Sequence, residues 1–245
     1  MNTIASFRQS IAETVRENTL NEANWRNESW KKPWESMNQD VLNDAFKQHG
    51  LIKEIFSSVG DIVQRMCKSM SRIEKKKTEQ APGRENYFKV VSDLVAGRIH
   101  CEVNDIPKKI DRIREIVLAN NGVMHVRGSS EKRPYGFSVD TEGKFSDITQ
   151  YVYVYLEKVG YPIEFQIGHE FASYTFTVDS AIRDNKNCGK VDLWTDNFYN
   201  DVKGYILDKA NGIEPRISKS AIQAKADAIH HNNVPEALQT ILNKL

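Results

Sequence analysis

The chain has 245 residues, with 34 Lys and Arg against 33 Asp and Glu, for a net charge of +1. It is 40% hydrophobic with a mean hydropathy of -0.56, which excludes the low-hydrophobicity, high-charge signature of disorder. It holds no apolar run of about 18 residues, which excludes a membrane-spanning helix, and its charge balance argues against indiscriminate attraction to nucleic acid or membrane.

This length accommodates one large domain, or one domain with helical extensions. Ile4, Phe7, Ile11 and Val15 recur at helical spacing. Residues 1–18 lack the apolar stretch of a secretory leader. The three cysteines, Cys67, Cys101 and Cys188, are odd in number and far apart. That pattern suits reduced thiols and predicts a cytoplasmic protein. Export as an effector without a cleaved signal is compatible with the same sequence. Three of the four tryptophans, Trp25, Trp30 and Trp34, fall in one polar stretch with Pro33. They read as a loop pinned to the body, or as a docking surface for a partner.

Residues 40–77 again show helical periodicity, through Val41, Leu42, Phe46, Ile52, Ile55, Phe56, Val59, Ile62, Val63 and Met66. Gly50 and Gly60 are candidate punctuation. A polar stretch with Pro82-Gly83 follows, read as turn or loop. Residues 89–103 are rich in β-branched side chains and read as a strand entered through a short turn. Asn104-Asp105 then caps a helix with Pro107 in its first turn and Ile106, Ile110, Ile113, Ile116 and Val117 on one face. Asn120-Asn121-Gly122 ends it. A strand is predicted over 123–127, a polar loop over 128–141, and two strands over 151–156 and 161–167 joined by a short turn. Helices follow over roughly 169–184, 191–209, 218–231 and 234–244, with breaks at Pro215 and Pro235. The resulting expectation is an α+β fold: a mixed, mostly antiparallel sheet of about five strands with helices at both ends.

Three features carry chemistry. Asp93 sits in the strand-like, apolar context Val-Val-Ser-Asp-Leu-Val-Ala-Gly-Arg. A carboxylate there is costly unless paired or metal-bound, and Arg98 is one candidate partner. Glu164 and Gln166 project to one face of a strand, with Ile163, Phe165 and Ile167 on the other. This is either an ordinary polar face or the lining of a cleft. Two carboxylates on neighbouring strands could hold Mg²⁺ and polarise a hydroxyl. Arg65, Lys68, Arg72, Lys75, Lys76 and Lys77, with Arg84 beyond, form a basic run. It reads as a solvated helix end, or as a clamp on a polyphosphate. His100 and His125 alternate with apolar residues and read as structural, and His230-His231 reads as a helix terminus.

Taken in order, these features resemble the synthetase domain of the RelA/SpoT homologue family, the alarmone pyrophosphokinases. That family shows a basic R-x-K…S…K segment, a D-x-x-G-x-R strand, a G-Y-x-S-x-H loop and an E-x-Q-I strand. Here Arg65, Lys68, Ser71 and Lys75 match the first, Asp93, Gly97 and Arg98 the second, Gly143, Phe145 and Ser146 the third, and Glu164-Phe165-Gln166-Ile167 the fourth. The match covers about residues 60–185. Gly97 and Arg98 stand one place later than in the family, Phe145 takes the place of a tyrosine, and Thr149 that of a histidine. Gly136-Phe137 offers a rival alignment of the loop.

The resemblance implies a nucleotidyltransferase-like fold and transfer of pyrophosphate from ATP to the 3′-hydroxyl of a nucleotide. It implies that Asp93 and Glu164 are catalytic and bind Mg²⁺. Arg65, Lys68, Arg72, Lys75 and Arg98 would bind the phosphates of ATP, while Phe145 and Gln166 would bind the acceptor. The alternatives are a toxin-like relative acting on tRNA 3′ ends or adenine nucleotides, and a catalytically silent module that binds nucleotides or a partner. The implied organisation is a helical extension over 1–59, the synthetase-like domain over 60–190 and helices over 191–245. The terminal helices are available for self-association or a protein partner; no membrane partner is predicted.

Overall fold

A computed structural model describes residues 39–65, 70–71, 93, 95–184 and 197–245. The expectations for 1–38, for Lys68, Arg72 and Lys75, for the Pro82-Gly83 loop and for 185–196 lie outside the described residues.

Helices α1 (Gln39–Lys47) and α2 (His49–Ile55) bury Leu42, Ala45 and Ile52. The helical periodicity predicts that this run continues, but the structure turns it into a strand, β1 (Ile62–Gln64). The helix stops at Ile55, a turn over 56–59 follows, and Gly60, at φ 147°, supplies before β1 a backbone conformation that side chains disfavour. Ile62 and Val63 are then free to pair antiparallel with β2 (Val95–His100), in the register Ile62↔Ile99, Val63↔Arg98 and Gln64↔Gly97. A short apolar run fits either period, and pairing decides. Met70 and Ser71 are helical, as expected. Asp93 departs from expectation: it lies in a turn before β2, half-buried, rather than within the strand.

A short 3₁₀ turn, Val103–Asp105, leads into α3 (Ile106–Ala119). The five apolar positions predicted for one face of α3 are all buried. Its end is as read: Asn121 adopts φ 49°, and the Gly122 amide donates to the Val117 carbonyl at 2.8 Å. Strands β3 (Val123–Val126), β4 (Thr149–Tyr155) and β5 (Pro162–Gly168) follow. The loop between β3 and β4 is polar as predicted, with one short 3₁₀ turn at Gly136–Ser138.

The five strands form one mixed, mostly antiparallel sheet in the order β1-β2-β5-β4-β3. The expected α+β fold is therefore present. β5 is central and buried along its whole length. On one face of the sheet Phe56 and Phe165 pack edge to face with centroids 4.9 Å apart. Gly97 lies beneath them, where a Cβ would meet Ile62 Cγ2 at 2.6 Å and the Phe165 ring at 3.7 Å.

The chain divides into two compact units. The first comprises residues 1–100, 107–137 and 150–167; the second comprises 101–106, 138–149 and 168–245. The second carries α4 (Glu170–Asp184), α5 (Phe198–Ala210), α6 (Lys219–Ile229) and α7 (Glu236–Lys244). Phe171 of α4 and Phe198 of α5 meet edge to face at 6.4 Å. Ser218 caps α6 by accepting from the Ala221 amide at 3.2 Å. Lys244 pairs with Glu170 at 2.7 Å, and Lys225 with Asp201.

Candidate functional site

The first unit brings four of the predicted site residues together across β1, β2 and β5. The Arg65 amide donates to the Ala96 carbonyl at 2.9 Å, which extends the β1-β2 ladder by one residue. Because strands alternate faces, Arg65 shares a face with Val63, and Val63 is registered opposite Arg98. Glu164 and Gln166 share that face on β5. Arg65 Nη1 donates to Glu164 Oε1. Gln166 Nε2 donates to the same oxygen at 3.1 Å. Arg98 Nε in turn donates to Gln166 Oε1 at 3.2 Å.

The result is a continuous relay, Arg98 to Gln166 to Glu164, closed from the other side by Arg65. Glu164 and Gln166 are buried, while Arg65 and Arg98 are half-buried. A carboxylate this far from water is sustained only by charge-assisted bonds, and Arg65 supplies one. Burial lowers the Arg98 pKa from its ordinary value, and the like charge of Arg65 lowers it further; Tyr151 and Glu164 act in the opposite direction. Two guanidiniums therefore face one patch closely enough to feel each other. A ligand with several anionic oxygens is the chemistry that takes both.

The remaining predicted residues are placed elsewhere or outside the description. Lys68, Arg72 and Lys75 are outside the described residues. Phe145 belongs to the second unit. There it is half-buried, its amide donates to Asn211 Oδ1 at 2.8 Å, and its carbonyl accepts from Asn211 Nδ2 at 3.0 Å. Phe137, the rival, is exposed in the first unit. The structure assigns His125 a packing role: it is buried with its ring stacked on Tyr153. His230 and His231 form the end of α6, as read.

Mg²⁺ takes hard oxygen ligands, keeps several waters and needs only one or two carboxylates when phosphates complete its shell. Asp93, half-buried in its turn, and Glu164, whose two hydrogen bonds both fall on Oε1, are oxygen donors of that kind. No cluster of three or more His, Cys, Asp or Glu able to hold a metal occurs among the described residues. Asp93 and Glu164 thus each have the donor chemistry that Mg²⁺ takes when phosphates complete its shell.

Sequence reasoning passed over the residues beside this relay. Tyr151, Tyr153 and Tyr155 occupy the half-buried face of β4, and Arg127 lies over the Tyr151 ring at 5.3 Å. The period-two alternation of tyrosine and valine was the available signal. A separate cavity of about 150 Å³ lies in the second unit, lined in part by Asn104, His169, Tyr205, Lys209 and Lys244; no predicted site residue borders it. No protein-family model matches the chain, and no curated protein matches it.

Proposed function

We propose that the chain is a pyrophosphokinase of the RelA/SpoT synthetase type. The reading is carried by one observation: Arg65, Arg98, Glu164 and Gln166, drawn from motifs far apart in sequence, meet on one face of the sheet. In the proposed reaction the 3′-hydroxyl oxygen of an acceptor nucleotide attacks the β-phosphorus of ATP. The bond from that phosphorus to the α–β bridging oxygen breaks, AMP departs, and pyrophosphate stays on the acceptor. Glu164 takes the hydroxyl proton. Arg65 and Arg98 neutralise charge on the transferring group, with Lys68, Arg72 and Lys75 as further phosphate ligands by sequence. Gln166 holds Glu164 in orientation. Mg²⁺, when bound through Asp93 and Glu164, would supply charge neutralisation on the phosphates. Phase and position, rather than covalent chemistry by the protein, would supply the rate.

The same site admits a second reading, as a nucleotide-binding module without turnover. The Arg65–Glu164 ion pair favours it, since the oxygen that would take the hydroxyl proton already accepts from a guanidinium. One experiment separates the two. The protein is incubated with Mg²⁺ and γ-labelled ATP against a panel of nucleotides and total tRNA. Transfer of label to an acceptor, lost by at least a hundredfold in a folded Asp93→Asn variant, is the expected result. ATP binding without transfer would establish the binding module, and full activity in Asp93→Asn would remove Asp93 from the site.

A further inference from the structure

We draw no further inference here: the strongest candidate, the cavity of about 150 Å³ in the second unit bordered by the 3₁₀ turn before α3, by α5 and by the end of α7, carries nothing because its two lysines are already held, Lys209 by the Leu245 carbonyl at 2.9 Å and Lys244 by Glu170 at 2.7 Å, and nothing in the structure shows what fills it.

Discussion

Glu164 has only 9% of its side chain exposed, against 23% for its partner Arg65. Removing the partner leaves a carboxylate that has lost its water and its counter-charge together. The unmet desolvation of a hydrogen-bonded group costs about 1–3 kcal/mol, more when charged. Arg65→Ala is therefore expected to destabilise the protein by about 2 kcal/mol in urea unfolding. An Arg65→Met/Glu164→Leu double variant should lose less than the single variant, because apolar replacement of both partners removes the stranded charge. A single variant within about 0.5 kcal/mol of the parent, the range of ordinary surface substitutions, would mean that water already solvates the carboxylate. The two effects then separate function from stability: both variants should lose phosphate binding, yet only one should lose much of the fold's margin.

At the scale of elements, two contacts decide how strands and helices join. Gly97 lets β1 and β5 side chains close over β2, and an added Cβ would stand 2.6 Å from Ile62 Cγ2. Gly97→Ala is expected to cost about 1–3 kcal/mol through overpacking, read as a lowered denaturation midpoint with an unchanged slope. A neutral result would show that Ile62 shifts without penalty. The second contact ties α1 to the segment entering β5: the Tyr161 hydroxyl donates to Asp44. Burial raises the Tyr161 pKa to about 12, with the Asp44 hydrogen bond and charge adding to it. Between about pH 10 and 12 the unfolded phenol ionises while the folded one does not. The stability it contributes is thus complete below pH 10 and is lost as pH rises toward 12. Tyr161→Phe should flatten the alkaline fall in stability relative to the parent, measured by urea midpoints across that range. Parallel curves would place the alkaline sensitivity on other tyrosines.

For the whole molecule the informative quantity is what a ligand does to folding. A ligand that binds only the native state at a hundred times its dissociation constant adds about 2.7 kcal/mol. For a chain of this size each kcal/mol shifts Tm by about 2–4 °C. Saturating Mg²⁺ and ATP together should raise Tm by about 5–10 °C, and chelation should remove most of the rise. Mg²⁺ alone should do little, since on the proposed reading the phosphates of ATP complete its shell. A rise with Mg²⁺ alone would point to a resident metal site, and no rise with Mg²⁺ and ATP would count against the nucleotide site altogether.

Local pattern was enough for α3. Five apolar residues at helical spacing, Pro107 in the first turn and Asn121-Gly122 at the end specify that element without outside help, because helical hydrogen bonds close within the segment. It was enough, too, for β4 and β5, whose β-branched and aromatic residues suit a pleated, packed surface. The pairing of Glu164 with Gln166 on one face was legible for the same reason, since the period of two is intrinsic to a strand. Residues 62–64 were not legible: their apolar pattern fits a helix, and only the partner strand at Ile99, Arg98 and Gly97 makes them a strand. Nor could sequence show that Arg65 bonds Glu164, because 99 positions separate them and strand order, not spacing, brings them into reach. A sequence by itself determines what closes locally; contacts between strands distant in the chain exist only once tertiary pairing has met the entropy cost of joining them.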